Sequence, residues 1–281
     1  MIAPIPNQPA LLMKHAKRKT LVIADLHIGW EIALSQKGIH VPTQTPKLLQ
    51  RLKGIISAYK PEQLLILGDV KHTVATAETG EWRDIPEFFN ELKKQVQDIQ
   101  IIRGNHDGSL EPLLPENIKI LPATGITLGD VGFFHGHRWP SPALLKCKTL
   151  VMGHLHPVIA FRDPAGFRIT RQVWVKANCN ETQLTETLLL KHKTKVEKSP
   201  KDTLWRHYKI KPRTSQLFIM PSFNEFLGGR PLNKGKTVRN AEPKRIAGPV
   251  LRSEAVDMEN AEAYLLDRTY LGTLNQLRSL S

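Results

Sequence analysis

The amino-acid sequence predicts an α/β fold in which two packed β-sheets are flanked by helices. In the first half of the chain, short apolar runs alternate with longer amphipathic segments, an order typical of parallel strands connected by helices. In the second half, closely spaced strand-like runs are separated by turns that contain Gly or Pro, which indicates a second sheet with hairpins. The 281 residues are enough to bury a full core.

Three strands and two helices account for the first half. The strands are predicted at residues 20–24, 64–67 and 99–102. Between the first two, residues 45–58 place leucine and isoleucine at helical spacing, and Thr43 or Thr45 is the expected cap. Between the last two, residues 86–96 form a second helix with Asp84 as its cap. This order predicts a parallel sheet with helices on its outer face.

The second half is predicted to consist of shorter elements. Its expected hairpins are residues 126–134, turning at 129–130, and residues 158–161 with 167–175, turning at 164–166. Further strand-like segments are residues 149–152, 217–220 and 264–274. Two packed sheets with helices outside account for both halves of the chain.

The net charge of +14 is concentrated in two segments. Residues 190–213 hold nine Lys/Arg and two Asp/Glu, and residues 228–252 hold seven Lys/Arg and one Glu. We therefore expect one domain over residues 1–281, with a basic insertion at about 181–213 and a basic loop at about 228–252. Two interpretations are open: the segments bind a polyanion such as nucleic acid, or they are solvated loops whose charge aids solubility.

The sequence carries no signal for a membrane or for secretion. No apolar run approaches the roughly 18 residues that a membrane-spanning helix needs. Near the N-terminus, three prolines precede a basic cluster at residues 14–19, whereas a secretory signal begins with charge and continues with an apolar stretch. We therefore expect a cytoplasmic protein without membrane contact.

Five short polar motifs each follow a strand-like run. They are Asp25-Leu26-His27, Gly68-Asp69, Gly104-Asn105-His106-Asp107, His135-Gly136-His137 and Gly153-His154-Leu155-His156. Residues just beyond the ends of parallel strands lie at one rim of the sheet, where open α/β sheets bind their ligands. A single motif of this kind is more often a cap, a turn or a surface pair than a ligand, but five in order predict one shared site.

The side chains of these motifs are metal ligands by type. The expected set is Asp25, His27, Asp69, Asn105, His135, His154 and His156. Imidazole, carboxylate and amide oxygen suit divalent manganese, iron, cobalt, nickel or zinc. Seven ligands exceed what one ion usually takes and suit two ions about 3.5–4 Å apart with a bridging carboxylate. Such a pair binds phosphate oxygens and activates water near neutral pH, so the sequence predicts a phosphoesterase.

The order of the motifs resembles that of the calcineurin-like metallophosphoesterase superfamily. Within it, the sequence is most similar to the archaeal SbcD-related phosphoesterases and the bacterial DNA-ligase-associated ones. The stretches that carry this likeness are ADLHIGWE (24–31), LGDVKH (67–72), RGNHDG (103–108), MGHLHP (152–157) and PSFNEFLGGRPLN (221–233). The resemblance implies a four-layer α/β/β/α fold. The basic stretch at residues 190–213 departs from the compact pattern of the family.

The resemblance also implies a role for each motif residue. Asp25, His27 and His156 would bind the first metal, Asn105, His135 and His154 the second, and Asp69 would bridge them. Manganese is the expected metal, with iron, zinc, cobalt or nickel as alternatives. His106 would protonate the leaving oxygen and contact the phosphoryl group, and water activated by the metals, rather than a side chain, would attack phosphorus.

Four further residues are candidate substrate contacts. A histidine at the spacing of His72 assists the reaction in the double-strand-break repair nucleases of the superfamily, so Lys71 and His72 would face the substrate, or else be structural. Asp107 would hold His106 in place or cap its loop, and His137 would contact phosphate or support His135.

The sequence is consistent with three functions. The leading hypothesis is a phosphodiesterase, nuclease-like and linked to DNA repair, with nucleic acid bound through the basic segments. The alternatives are a small-molecule phosphodiesterase or phosphatase that acts on nucleotides, and an inert metal-binding module that binds nucleic acid. A homodimer is a further expectation from the family.

Overall fold

The computed structural model describes residues 2–162, 165–234 and 248–279. Six described strands form the first sheet in sequential order: β1 (Ile2–Pro4), β2 (Leu11–His15), β3 (Arg18–Ile23), β4 (Gln63–Leu67), β5 (Asp98–Ile102) and β6 (Lys119–Leu121). The strands from β3 to β6 are parallel, whereas β1 and β2 extend the sheet in antiparallel pairing. The predicted parallel unit is therefore confirmed.

Nine described strands form the second sheet. They are β7 (Ile126–Leu128), β8 (Val131–Phe134), β9 (Thr149–Met152), β10 (Pro157–Arg162), β11 (Arg168–Cys179), β12 (Gln216–Ile219), β13 (Arg230–Pro231), β14 (Val256–Leu265) and β15 (Tyr270–Thr273). The order is β13-β10-β11-β12-β9-β8-β7, with β14 on β11 and β15 on β14. Both predicted hairpins, β7–β8 and β10–β11, are antiparallel pairs. Pro164, in the predicted turn of the second, lies outside the described residues.

Six of the seven described α-helices pack on the two sheets through apolar residues. The seven are α1 (Trp30–Ser35), α2 (Thr45–Tyr59), α3 (Thr79–Lys93), α4 (Glu181–Lys191), α5 (Pro200–Tyr208), α6 (Gly248–Arg252) and α7 (Leu274–Ser279). Apolar residues of α2 and α3 share a core with the first sheet, and those of α4 to α7 share one with the second. A third core, including Val22, Leu65, Phe133 and Trp174, joins the sheets. The two-sheet fold flanked by helices is thus confirmed.

The structure corrects several predictions of where helices begin and where strands lie. Helix α3 begins at Thr79 rather than Pro86, because the side chain of Glu81 caps the backbone N–H of Glu78 at 2.9 Å. Asp84 is inside the helix, where its Oδ2 accepts a hydrogen bond from Oγ1 of Thr43 at 2.9 Å. The N-cap position of α2 is Gln44, and Oγ1 of the predicted Thr43 accepts the N–H of Thr45 at 3.3 Å. Strands β1 and β2, near the three prolines and the basic cluster of the N-terminal segment, were not predicted.

The predicted insertion at residues 181–213 contains α4 and α5, which pack on the second sheet through Leu184, Leu188 and Leu204. Most of the predicted basic loop, residues 235–247, lies outside the described residues. The single-domain organisation over residues 1–281 stays a prediction. Among the described residues, no helix is both long and apolar enough to cross a membrane.

Candidate metal centre

The five motifs occupy loops at the ends of five strands. Asp25 and His27 follow β3, Asp69 follows β4, Asn105 follows β5, His135 follows β8, and His154 and His156 follow β9. Strands β3, β4 and β5 are parallel neighbours in the first sheet, and β8 and β9 are parallel neighbours in the second. Because the two sheets face each other, their strand ends bring all seven predicted ligands together.

The backbone at these strand ends has an uncommon conformation. Positive φ angles occur at Asp25 (57°), His27 (44°), Asp69 (51°), His154 (68°) and His156 (47°). For a residue with a side chain, the left-handed region costs about 1–2 kcal/mol. Such conformations persist where the surrounding structure holds them, and they cluster at functional sites. Here they turn the side chains into the space between the strand ends.

Two glycines allow the motif loops to approach each other closely. A Cβ atom at Gly104 would lie 2.1 Å from Oδ1 of Asp69, and one at Gly153 would lie 2.7 Å from Oδ2 of Asp25. No side chain fits at these distances. The glycines that precede the ligands in the sequence are therefore required by the packing of one loop on the next.

One group of ligands gathers around Asp25. The ligand atoms of Asp25, His27 and His156 all lie within 4.8 Å of one another, and Nε2 of His156 is 3.4 Å from Oδ1 of Asp25. Burial alone would raise the pKa of Asp25, but the neighbouring His156 and His135 outweigh it and lower the pKa. The carboxylate is therefore ionised and suited to a cation.

A second group gathers around His135. The ligand atoms of Asp69, His135 and His154 lie within 4.8 Å of one another, and Oδ1 of Asn105 is 3.2 Å from Nε2 of His135. Nδ1 of His135 donates to the carbonyl of Leu67 at 2.7 Å. That bond directs Nε2 toward the other ligands, as the outer hydrogen bond of a metal-bound histidine commonly does.

One oxygen of Asp69 lies between the two groups. Its Oδ2 is 3.4 Å from Nε2 of His27 in the first group and 3.3 Å from Nε2 of His135 in the second. The other oxygen, Oδ1, accepts the backbone N–H of His106 at 2.9 Å. Asp69 thus faces both groups with a single carboxylate, the arrangement that a bridging ligand needs.

The electrostatics of the groups fit divalent cations. Burial lowers the pKa of His27 to about 3 and that of His154 to about 4, so both imidazoles are neutral. Nε2 of His27 is buried and makes no hydrogen bond within the described part of the chain. A neutral imidazole with an unpartnered nitrogen beside carboxylates is suited to a metal. The clusters can therefore bind metal ions.

His106 lies beside the first group with its ring fixed by the backbone. Its Nδ1 is hydrogen-bonded to the carbonyl of His72, and its ring centroid is 4.7 Å from that of His27. Nδ1 of His72 is 3.3 Å from Nδ1 of His27. The ligand atoms of these three histidines also lie within 4.8 Å of one another. Both predicted histidines therefore reach the candidate centre.

The structure does not support substrate contact for Asp107 and Lys71. Asp107 is fully buried, and its carboxylate accepts the backbone N–H groups of Asp69, Val70 and Gly104 at 2.7–2.9 Å. It joins two motif loops, which is the loop-capping alternative. Lys71 is also fully buried, and its Nζ donates to the carbonyl of Thr73. Both side chains are structural because neither is accessible to a substrate.

His137 lies next to the second group, as its spacing predicts. Its ring centroid is 5.2 Å from that of His135 and 6.2 Å from that of His154. Burial lowers the pKa of His137 to about 3, with His135 as the next cause. Its ring is therefore neutral, and its Nδ1 is buried without a hydrogen bond in the described part of the chain.

Three supporting residues were not identified from the sequence. Oγ of Ser222 donates to the carbonyl of Asp25 at 2.8 Å, and Nδ2 of Asn224 donates to the carbonyl of Leu26 at 2.9 Å. Buried Glu81 accepts the N–H groups of His72 and Thr73 at 2.9 and 2.8 Å. Ser222 and Asn224 belong to the PSFN segment noted above, whereas Glu81 was missed although it forms a capping box with Glu78, three residues earlier.

Comparison with known proteins places this geometry in a family. The calcineurin-like phosphoesterase profile matches residues 18–216. Of solved structures, the nuclease MPE of Pseudomonas putida is 20% identical, with a TM-score of 0.51, over 96% of this chain and 100% of that chain. The phosphoesterase Yfce of E. coli is 22% identical over 51% of this chain and 73% of that chain, but its TM-score is 0.33. No curated protein matches the sequence.

The family match covers most of the chain and includes all five motifs. The likeness to the Pseudomonas putida structure shows the same fold. The family is metal-dependent, and the clustered Asp and His side chains provide the ligands that such chemistry requires. This chain therefore belongs to the calcineurin-like phosphoesterase family and is a hydrolase that acts on phosphoester bonds.

Proposed function

We propose that this protein is a phosphodiesterase with a dinuclear metal centre, a nuclease-like enzyme that acts on nucleic acid in DNA repair. The position of Asp69 carries this proposal, because its Oδ2 lies 3.3–3.4 Å from one imidazole nitrogen of each ligand group. The first ion would be held by Asp25, His27 and His156, and the second by Asn105, His135 and His154. Asp69 would be shared between them.

Bound cations would stabilise negative charge on the phosphoryl oxygens and make water more acidic. The chain's own contribution is to orient the ligands and to supply a proton. Because Nδ1 of His106 is engaged by the carbonyl of His72, Nε2 is the atom that would donate to the leaving oxygen. His72 stands on the same side of the first group and would contact the phosphoryl group.

Nucleic acid as substrate is supported by charge. The basic segment at residues 190–213 has nine Lys/Arg against two Asp/Glu, and it includes α5 and the end of α4. Such a segment attracts the phosphate backbone. The neighbour of similar fold from Pseudomonas putida is a nuclease. The proposed metal is manganese, and the predicted cytoplasmic location and homodimer remain to be tested.

A substrate panel with reconstituted protein tests the proposal. Protein stripped with chelator is loaded separately with manganese, iron, cobalt, nickel or zinc, and its metal content is measured by plasma mass spectrometry. We expect two ions per chain and hydrolysis of single-stranded DNA and of bis(p-nitrophenyl) phosphate, fastest with manganese. Hydrolysis of nucleotides but not of polymers would favour the small-molecule alternative. Metal binding without hydrolysis of any ester would contradict the proposal.

A further inference from the structure

A cavity of about 640 Å³ opens beside the candidate metal centre. Its walls include Arg138 and Trp139 from the loop after β8, Lys191 at the end of α4, and Arg252 at the end of α6. The volume falls within the range of roughly 300–1,000 Å³ that is usual for small-ligand sites. The cavity is therefore large enough for a ligand the size of a nucleotide.

His137 connects this cavity with the ligands of the second group. It lines the cavity, and its ring centroid lies 5.2 Å from that of His135 and 6.2 Å from that of His154. Its buried Nδ1 makes no hydrogen bond within the described residues. His137 thus lies at the boundary between the cavity and the second ligand group.

The chemistry of the walls points to an anion that carries a ring. None of the described lining residues is acidic. Arg138 and Lys191 are exposed, and neither forms an ion pair with another described residue. Trp139 adds an aromatic side chain to the lining and packs against the core of the second sheet. Cationic side chains together with an aromatic ring are the usual means of binding single-stranded nucleic acid.

We propose that this cavity binds the nucleotide next to the scissile phosphate of a single-stranded nucleic acid. This inference rests on the proposed phosphodiesterase function, since it takes the reacting phosphate to lie between the ligand groups. Arg138 and Lys191 contact the adjoining phosphate, and Trp139 contacts the base. An unpaired base is required, because a base within a duplex does not offer its face to a side chain. Lys191 belongs to the basic insertion, which thereby gains a role in substrate binding.

Binding of a hydrolysis-resistant ligand tests the cavity. The Arg138→Gln/Lys191→Gln variant and wild type, both loaded with manganese, are titrated with a fluorescent phosphorothioate single strand by anisotropy. The matched control is Lys94→Gln/Lys119→Gln, which removes two exposed charges that do not line the cavity. We expect Kd to rise about tenfold in the cavity variant. The slope of log K against log salt should become shallower by about 0.7, because the two side chains contact a single phosphate.

Trp139→Leu provides a second readout. Loss of base contact should weaken binding about fivefold or more, with the salt slope of wild type, because no charge is removed. A shallower slope in this variant would contradict the contact assigned to Trp139.

Kinetics separate this inference from the proposed function. Bis(p-nitrophenyl) phosphate has no adjoining nucleotide, so its turnover should be unchanged in the Arg138→Gln/Lys191→Gln variant, while KM for the oligonucleotide rises. If wild type hydrolyses neither substrate, the phosphodiesterase function itself is wrong. If wild type is active but the cavity variant binds the oligonucleotide as wild type does, the cavity is not the nucleotide site. An equal loss of turnover on both substrates also overturns it.

Discussion

At the scale of single residues, the candidate metal centre depends on ligands whose backbone adopts an unfavourable conformation. Five of its seven candidate ligands have positive φ angles, which costs each about 1–2 kcal/mol. The fully buried carboxylate of Asp107 offsets part of this cost by accepting three backbone N–H groups of the motif loops. Its own pKa is raised to about 6, first by burial and then by the charge of Asp69.

His106→Ala is expected to retain metal and to lose most of the activity. The side chain is outside both proposed ligand sets, whereas loss of a general acid typically lowers a rate by about 10²–10⁴-fold. Turnover per bound metal is measured for an alkyl diester and a nitrophenyl diester. The loss should be smaller for nitrophenolate, which leaves without a proton. An equal loss on both substrates would contradict the role of general acid.

Asp69→Asn is expected to weaken the binding of both metal ions. The substitution keeps the size of the side chain but removes the charge shared by the two ligand groups, whose nearest nitrogens lie 3.3–3.4 Å from Oδ2. Metal content after dialysis is compared with that of Asp130→Asn, an exposed carboxylate on the β7–β8 turn. Retention of two ions in the Asp69 variant would exclude a bridging role.

At the scale of elements, the loop that carries His72 is fixed by helix α3. Glu81, in the first turn of this helix, accepts backbone N–H groups from His72, Thr73 and Glu78 at 2.8–2.9 Å. Glu81 therefore does two things at once: it caps the N-terminus of α3, and it holds the loop that carries His72. The approach is close, since a Cβ atom at Gly29 would lie 2.6 Å from Cγ of Glu81.

Glu81→Gln is expected to lower the free energy of unfolding by about 1–3 kcal/mol. The amide group keeps one acceptor oxygen but places NH₂ against backbone N–H donors in a fully buried position. Urea unfolding measures the change, with Glu87→Gln on the exposed face of the same helix as the control. Because His72 is proposed to contact the phosphoryl group, KM should rise as well. A stability equal to that of the control would show that Glu81 does not anchor the loop.

At the scale of the whole molecule, metal binding is coupled to protonation and to stability. Burial alone would lower the pKa of His135, but Asp69 and Asp25 raise it to about 10 in the metal-free protein. The proton on His135 stabilises the metal-free fold fully below its ordinary pKa of 6.5, and this contribution is lost as the pH rises toward 10. A metal ion must displace that proton.

Manganese should therefore stabilise the protein more at pH 8 than at pH 6. A ligand that binds only the folded state raises stability by RT ln(1 + [L]/Kd). The apparent Kd for manganese falls as the pH rises, because the competing proton on His135 becomes easier to remove. Thermal unfolding with and without saturating manganese gives the difference in Tm at each pH. Calorimetry in two buffers of different ionisation enthalpy counts the protons released. A difference in Tm that falls with pH would contradict the proposed competition.

The sequence by itself determined the ligand types, their order and the strands that carry them. This was achievable because strand, turn and glycine signals are local, and because a residue just past a parallel strand lies at the rim of the sheet. The seven predicted ligands gather in the structure for this reason. The start of α3 was predicted wrongly because the capping box of Glu78 and Glu81 outweighs the signal of Asp84 and Pro86.

Only the tertiary structure decided what supports the ligands and what adjoins them. Ser222 bonds the carbonyl of Asp25 across 197 positions of sequence, and such a contact leaves no local pattern. The same holds for the burial of Lys71 and Asp107, and for the cavity formed by α4, α6 and the loop after β8. Hydrogen bonding and burial depend on which elements meet in space, and the packing of two sheets determines that.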